Sequence, residues 1–215
     1  MASHPHVQSR GPIADRHLDL GCGTLPGNPY GRSLVFGVDL RRLESSSDES
    51  FEFAAANLSF EPIPFGDGHF ASVSAFDFIE HIPRVLNGAL PNTTVFPFVR
   101  LMNEVWRVLA PGGLFYALTP CYPGREAFAD PTHVNVITER THEYFAGSNP
   151  RGRMYGFEGD FTVRRAQWVI PEHSRTVAPL TLRQSWDRWR RAKQGKLVYF
   201  LWELEAVKAA AQPVP

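Results

Sequence analysis

The sequence predicts an α/β fold built around an open, mostly parallel β-sheet. Short apolar segments recur along the chain and end at glycine or aspartate, which is typical of strands buried on both faces of a parallel sheet. One segment with apolar residues at three- and four-residue spacing, 95–109, separates two of these strands. It suits the crossover helix that neighbouring parallel strands require.

The composition favours one globular domain. The chain has 215 residues, with 22 Lys and Arg against 22 Asp and Glu, so its formal net charge is zero. We expect a mobile polar tail over 1–15 and a single domain over 16–210. The balanced charge disfavours nucleic acid or an anionic membrane as a partner. No apolar run approaches the roughly 20 residues that a membrane span needs. The two distant cysteines favour a reducing, cytoplasmic location.

Four strands are predicted in the first half of the chain, at 16–20, 33–38, 51–58 and 70–76. A glycine-rich turn follows the first strand, and Asp39 closes the second. Only 12 residues separate Leu20 from Ser33, and two of them are prolines. Because proline disrupts a helix and a full crossover helix needs at least this length, we expect the first helix to be vestigial or missing.

The second half supplies the remaining strands. The 95–109 helix is predicted to end at Pro111–Gly113. The elements that follow are a strand at 114–119, an irregular segment at 120–136, a short helix at 138–145 capped by Thr138, and strands at 161–169 and 196–207. The total is seven strands.

A basic segment, 175–196, lies between the last two strands and contains Trp186 and Trp189. A helix over 182–194 places both tryptophans on one face. The favoured interpretation packs the tryptophans into the core and leaves the arginines in water. The alternative is a basic, aromatic surface for RNA or a phosphorylated glycan carrier.

The glycine turn after the first strand has the pattern of a nucleoside-cofactor site. Gly21 and Gly23 allow close backbone approach, and Asp39 has the position expected to accept hydrogen bonds from ribose hydroxyls. The structural alternative is a tight strand-exit turn beside a solvated aspartate. Pro26 stands where a dinucleotide fingerprint has its third glycine, which disfavours NAD or FAD. A P-loop motif is absent, which disfavours a nucleoside triphosphate.

Four segments in order, LDLGCGTLPG, FGVDL, IPFGDGHFASVSAFDFIEHIPR and NEVWRVLAPGGLFYALTP, resemble the motifs of class I S-adenosylmethionine-dependent methyltransferases. The resemblance covers roughly 17–120 and implies a Rossmann-like, seven-stranded sheet with S-adenosyl-L-methionine as cofactor. It places Gly21 and Gly23 at the methionine, Asp39 at the ribose, Asn57 and Leu58 at the adenine, and Phe76 and Asp77 at the pocket wall. The full implied set is Asp19, Gly21, Cys22, Gly23, Asp39, Leu40, Asn57, Leu58, Phe76 and Asp77.

Two departures from the family pattern stand out. About 16 residues precede the first strand, where many relatives carry helices that shield the substrate. The pocket is therefore either open or completed by a second copy of the chain, which leaves homo-oligomerisation open. Asn57 stands where many relatives have aspartate, and its amide can still hydrogen-bond adenine.

Methyl transfer to an oxygen needs a general base, and histidine suits this role near neutral pH. His133 follows the fifth strand and is the leading candidate. Asp130, three residues earlier, would orient its imidazole or act itself. His81 follows the fourth strand and is a weaker candidate, because it also suits a structural role at a helix start. No metal site is predicted.

The DPTHVN segment, 130–135, is similar to a subgroup of bacterial methyltransferases associated with glycan biosynthesis. The expected acceptor is therefore a small or glycan-linked hydroxyl compound. Two alternatives remain: an RNA methyltransferase that uses the 175–196 segment, and a catalytically inactive member of the fold that serves as an interaction or scaffold subunit. The short first loop motivates the second of these.

Overall fold

The computed structural model describes residues 11–41 and 51–208. Seven strands form one sheet: β1 Arg16–Leu20, β2 Leu34–Asp39, β3 Glu52–Ala55, β4 Phe70–Phe76, β5 Leu109–Pro120, β6 Phe161–Val169 and β7 Tyr199–Ala206. Their order across the sheet is β3-β2-β1-β4-β5-β7-β6. The first five strands run parallel, while β7 pairs antiparallel with both β5 and β6. The predicted Rossmann-like, mostly parallel seven-stranded sheet is confirmed.

The topology places the glycine turn at the switch point of the sheet. Strand β1 pairs with β2 on one side and with β4 on the other, so the chain changes direction across the sheet at β1. In open parallel sheets, ligands bind beyond the carboxyl ends of the strands at this point. Leu20, Asp39, Phe76 and Pro120 end their strands along this edge. The loops after them carry the candidate site.

Three α-helices are described: α1 Pro97–Val108, α2 Glu126–Ala129 and α3 Leu182–Lys193. The predicted amphipathic helix is α1, whose apolar face is buried in the main core. Pro97 stands in its first turn, where the missing N–H costs nothing. The helix passes at Leu109 directly into β5, so Pro111–Gly113 lie within that strand. These residues do not terminate α1 as predicted; they form the irregular part of the pairing between β4 and β5.

The first crossover contains no helix between β1 and β2, as predicted, and all residues of this loop are described. The side chain of Asn28 closes the loop by donating to the Arg32 carbonyl (2.8 Å) and accepting from the Arg32 N–H (3.0 Å). Tyr30 packs on a small apolar cluster on one sheet face and donates to Glu203 (2.7 Å). The loop thus covers the part of the sheet that a helix would otherwise protect.

Several boundaries differ from the sequence-based expectation. Strand β3 covers only 52–55, and the predicted 138–145 helix is one 3-10 turn, Thr141–Tyr144. Residues 1–10 of the predicted tail lie outside the described residues, whereas Ile13–Asp15 form a 3-10 turn. The ranges 42–50 and 209–215 also lie outside the described residues. No helix in the described part of the chain is long and apolar enough to cross a membrane.

Helix α3 forms close to where it was predicted, but its tryptophans are not in the core. Trp186 and Trp189 are 60% and 58% exposed, and no residue of α3 is buried. The favoured interpretation of this segment is therefore wrong. Spacing shows that two side chains share a helix face, but only tertiary packing decides what that face meets. The Arg190 guanidinium instead lies over the Trp186 ring, with its Cζ atom 5.5 Å from the ring centroid.

Candidate functional site

The glycine turn after β1 and the end of β2 form what we call the cofactor side, comprising Asp19, the 21–27 turn and Asp39. The turn is pinned to β2 because the N–H groups of Gly21 and Cys22 donate to the Val38 carbonyl, at 2.8 and 3.2 Å. Gly21 and Gly23 have φ values of +69° and +54°, which glycine adopts without strain. A Cβ on Gly21 would lie 2.4 Å from Cδ2 of Phe78, so glycine is also required sterically.

Asp39 links the turn to β2. Its Oδ2 accepts from the Gly23 N–H (3.0 Å), and its Oδ1 accepts from the backbone N–H (3.0 Å) and Nε (3.2 Å) of Arg41. Burial favours the neutral form, but the Arg41 and Gly23 donors outweigh it and hold the pKa of Asp39 below its usual value. Asp39 is therefore a carboxylate at neutral pH, as a ribose-binding group would be.

Asp19 lies beneath the turn and is 3% exposed. Its Oδ2 accepts from the Gly27 N–H (2.7 Å), and its Oδ1 accepts from Ser74 Oγ. Burial raises the pKa of Asp19 to about 7, although these two hydrogen bonds oppose the shift. Asp19 thus fixes the far end of the glycine loop from inside the protein.

A chain of hydrogen bonds continues from Ser74 into the sheet. His17 Nε2 lies 2.9 Å from Ser74 Oγ, and His17 Nδ1 lies 2.8 Å from Ser72 Oγ, which accepts from Arg32 Nε (2.8 Å). Because Ser74 gives its proton to Asp19, His17 must donate through Nε2 and accept through Nδ1. Burial lowers the pKa of His17 to about 3, and Arg32 adds to this, so the ring is neutral. The sequence analysis did not identify this network.

The remaining predicted cofactor residues take varied positions. Cys22 is buried against Gly37, and burial raises the pKa of its thiol to about 12, so it is not a nucleophile. Leu58 is buried in the main core, whereas Leu40 is 66% exposed. Asn57 lies beyond β3, where its Oδ1 accepts from the Ser59 N–H (3.1 Å).

Phe76 ends β4, and Asp77 begins the loop that leads to His81. A Cβ on Gly27 would lie 2.4 Å from Cε2 of Phe76, so this ring packs directly on the glycine loop. Arg175 lies over the same ring, 5.4 Å from its centroid, and its Nη2 is 3.5 Å from Asp77 Oδ2. Asp77 adopts φ of +49°, a conformation that non-glycine residues rarely adopt.

The loops after β4 and β5 form the acceptor side, comprising 77–81 and 130–135. They are joined through their backbones: the N–H groups of Val134 and Asn135 donate to the Glu80 carbonyl, at 3.0 and 2.9 Å. The structure brings His81 and His133 together, with ring centroids 4.8 Å apart. Both predicted histidines therefore lie at one site, although they are 52 positions apart in sequence.

The expected hydrogen bond between the Asp130 carboxylate and the His133 imidazole is not formed among the described residues; only the His133 N–H donates to the Asp130 carbonyl (3.1 Å). Asp130 Oδ1 instead accepts from the N–H (2.8 Å) and the Oγ1 (2.6 Å) of Thr132. Thr132 Oγ1 lies 3.0 Å from His81 Nδ1, so Asp130 acts on His81 through Thr132. An aspartate commonly hydrogen-bonds the backbone two residues ahead, and this local turn takes the carboxylate away from His133.

Glu80 is a candidate residue that the sequence analysis missed. It is 2% exposed, and its Oε2 accepts from Thr119 Oγ1 (2.9 Å). Its Oε1 is buried without a hydrogen-bond partner among the described residues. Burial raises the pKa of Glu80 to about 8, partly offset by its own N–H and by Thr119. Its position beside His81, after a strand at the carboxyl edge, was the available signal.

Two cavities of about 580 and 560 Å³ lie away from the glycine turn, against α3. The first lies between α3, β6 and the 3-10 turn Thr141–Tyr144. The second is lined by three arginines of α3 together with Trp186. Its lining is therefore basic and aromatic.

The fold is shared with solved structures at low sequence identity. A proposed methyltransferase in complex with the Haloferax volcanii Trm112 methyltransferase activator has a TM-score of 0.55 at 17% identity, over 93% of this chain and 86% of that one. An S-adenosylmethionine-dependent methyltransferase from Mesorhizobium loti has a TM-score of 0.53 at 16% identity, over 90% and 92%. The cyclase SpnF also has a TM-score of 0.53, at 16% sequence identity, and the match covers 91% of this chain and 76% of that one. No family model and no curated protein matches the chain. These likenesses establish the fold.

Proposed function

We propose that this protein is an S-adenosylmethionine-dependent methyltransferase that acts on an oxygen of a small or glycan-linked acceptor. The observation that carries the proposal is the pairing of the Gly21–Gly23 turn with the ionised Asp39 at the switch point of the sheet. A glycine turn beside a carboxylate suits a ligand with both an amino acid part and a ribose.

The residues present fit this cofactor. The turn packs closely on the protein at Gly21, where a Cβ would strike Phe78, and it is open at Gly23, where a Cβ would have only Arg41 within 4 Å. Asp39 would accept hydrogen bonds from the ribose hydroxyls, and Asn57 would face the adenine. When bound, S-adenosylmethionine supplies an electrophilic methyl group on a sulfonium.

The acceptor side would supply the base. His133 Nδ1 lies 3.3 Å from the Ala127 carbonyl oxygen, which can only accept, so the ring proton is on Nδ1. Nε2 therefore has a lone pair and would take the proton of an acceptor hydroxyl as its oxygen bonds to the methyl carbon. The electron pair of the broken carbon–sulfur bond stays on sulfur. Positioning and exclusion of water supply much of the rate in such a displacement.

The glycan-linked acceptor rests on the DPTHVN segment at 130–135, which is the second of the two loops of the acceptor side. A cytoplasmic location is proposed together with this acceptor.

A second acceptor class, RNA or another phosphate-rich carrier, is favoured by one observation. Trp186 and Trp189 are exposed beside Arg183 and Arg190, so stacking and charge are available on the same surface.

Isothermal titration with S-adenosylmethionine and with its demethylated product tests the cofactor assignment. We expect saturable one-to-one binding of both, weakened about 10- to 100-fold by Asp39→Ala, which removes the ribose acceptor and an anchor of the turn. Asp67→Ala is the matched control, because Asp67 is exposed and forms its ion pair with Arg107. Absence of binding at millimolar concentration would exclude the assignment.

Transfer of a radiolabelled methyl group separates the acceptor classes. Label in a sugar-nucleotide and glycan pool supports the leading proposal, and label in total RNA supports the second. An inactive scaffold role predicts that neither pool is labelled and that Asp39→Ala leaves cellular function intact.

A further inference from the structure

Three metal-ligating side chains converge on the acceptor side. Glu80, His81 and His133 each present one donor atom, and the three atoms lie within 4.8 Å of one another. Two imidazoles and one carboxylate are a donor set that divalent first-row transition metals take in proteins, with further positions left open.

Both imidazoles are held in the tautomer that leaves Nε2 for a ligand. Thr132 Oγ1 gives its proton to Asp130, so it can only accept from His81 Nδ1, 3.0 Å away. His133 Nδ1 donates to the Ala127 carbonyl in the same way. Ligating histidines in metalloproteins show this arrangement, because a hydrogen bond at one ring nitrogen orients the other toward the metal.

Glu80 supplies the third donor. One oxygen of its carboxyl group is held by Thr119, whereas Oε1 is buried and has no hydrogen-bond partner in the described part of the chain. A buried polar atom without a partner costs free energy, and a bound ligand would remove that cost. This oxygen is an observation independent of the clustering of the histidines.

The two loops that carry the donors are fixed to each other without a ligand. Besides the two N–H groups that reach the Glu80 carbonyl, Asn135 Nδ2 donates to the Ile79 carbonyl (3.0 Å). Arg84 Nε donates to Asn135 Oδ1. Such bracing lowers the entropy that the side chains lose on binding a metal.

We propose that Glu80, His81 and His133 bind one divalent first-row transition metal ion, such as Zn²⁺, Co²⁺ or Mn²⁺. Bonds of about 2.0–2.2 Å require the donors to move inward by about 1 Å, which side-chain rotation can supply. The metal site rests on this geometry alone and does not depend on the methyltransferase proposal. If both hold, His133 is a metal ligand and no longer the general base; the metal would lower the pKa of an acceptor hydroxyl, and the hydroxyl proton would pass to solvent water.

The test uses the 215-residue protein without a tag, from which metal has been removed with EDTA and dialysis. It is titrated with Co²⁺, followed by visible absorption, and separately with Zn²⁺, followed by calorimetry. His4 and His6 are replaced by glutamine in all samples, because an N-terminal HxH sequence can bind metal itself. We expect one Co²⁺ per chain with intense d–d bands. Mg²⁺ should not compete at equal concentration, because it prefers oxygen ligands.

Variants identify the ligands. Glu80→Gln, His81→Gln and His133→Gln should each weaken Co²⁺ binding at least 10-fold. The control His173→Gln, at a histidine outside the cluster, should bind as the parent does. Far-UV circular dichroism checks that each variant is folded. Thr132→Val, which removes the hydroxyl acceptor of His81 Nδ1 and leaves the Thr132 carbonyl oxygen 3.3 Å away, should weaken binding by a smaller factor.

Two outcomes overturn the proposal: no saturable binding at metal concentrations up to about 100 µM, a Kd limit between the micromolar and millimolar ranges, or equal binding by the parent and any of the three ligand variants. A parallel titration with S-adenosylmethionine keeps the two proposals apart. Cofactor binding without metal binding refutes only the metal site, and the reverse refutes only the methyltransferase assignment.

Discussion

The cofactor side and the acceptor side lie at the same edge of one sheet but differ in how fully their buried carboxyl groups are hydrogen-bonded. Asp19 and Asp39 each accept hydrogen bonds at both oxygens from the protein itself. Glu80 has one oxygen held by Thr119 and one without a partner among the described residues. A fully bonded carboxyl group shapes its own loop, whereas an unsatisfied one keeps capacity for a ligand at a cost in stability.

The largest expected effect concerns Asp19 and pH. Its pKa is raised from 3.8 to about 7, so the folded state keeps a proton that the unfolded state releases. The contribution of Asp19 to the free energy of unfolding, measured as the difference between the wild type and Asp19→Asn, should therefore fall as pH rises from about 4 to 7, by about 4 kcal/mol at 1.36 kcal/mol per pKa unit. Asp19→Asn should lose this dependence. Urea unfolding of both proteins across that window measures it.

His17 provides a control of opposite sign for the same network. Its pKa is lowered from 6.5 to about 3, so the unfolded state binds the extra proton. The contribution of His17 to stability should be complete above about pH 6.5 and decline as pH falls toward 3. If His17→Asn and Asp19→Asn change the pH profile in the same direction, the two groups do not titrate as the network requires.

The next effect tests the close packing of the cofactor side. Gly21→Ala should weaken S-adenosylmethionine binding about 100-fold, or about 3 kcal/mol, because the new Cβ would lie 2.4 Å from Phe78 in a backbone with φ of +69°. Gly31→Ala is the matched control: its φ is +61°, but nothing lies within 4 Å of its Cβ position. Calorimetry should show near-normal affinity for the control. Equal losses in both variants would attribute the effect to backbone strain alone.

On the acceptor side, the expected effect of a substitution is a gain in stability rather than a loss of affinity. In metal-free protein at pH 9, above the raised pKa of about 8, Glu80→Gln should increase the free energy of unfolding by about 2 kcal/mol. The amide carries no charge to bury and still offers an oxygen to Thr119. Thermal or urea unfolding of wild type and variant gives the difference. A destabilised variant would show that Glu80 is a structural carboxylate like Asp19.

The smallest effect lies outside both sides, on α3. Trp186→Ser and Trp189→Ser should each change the free energy of unfolding by less than about 0.5 kcal/mol, because both side chains are mostly exposed. Trp202→Ala, at a fully buried tryptophan, should cost about 3–5 kcal/mol. A large loss for either exposed residue would restore the core interpretation of this helix.

The local structure of the cofactor side, a glycine turn after β1 and an aspartate at the end of β2, could be predicted from the sequence because its signals are local. A strand, a glycine turn and an aspartate at the next strand end determine their own positions once the parallel sheet is recognised. The missing first helix was predictable for the same reason, since Pro26 and Pro29 act within their own loop.

The acceptor side could be predicted only in part. His81 and His133 were identified one at a time, but their convergence depends on backbone hydrogen bonds between two loops that are distant in sequence. The spacing of Asp130 and His133 suggested a contact that a turn with Thr132 prevents. The burial of Glu80 likewise depends on how these loops cover it, which no local pattern in the sequence shows.

The loop that replaces the first crossover helix has an electrostatic consequence. A helix starting behind the glycine turn would present aligned peptide dipoles, equivalent to about half a positive charge, to an anionic ligand group. Here that field is missing, and the positive charges near the turn in the described part of the chain include Arg41, which is 75% exposed, and Arg175, which is 58% exposed. Exposed charges are screened by salt, whereas a helix dipole end facing a closed pocket is screened less. Ligand affinity at this turn should therefore decrease with ionic strength.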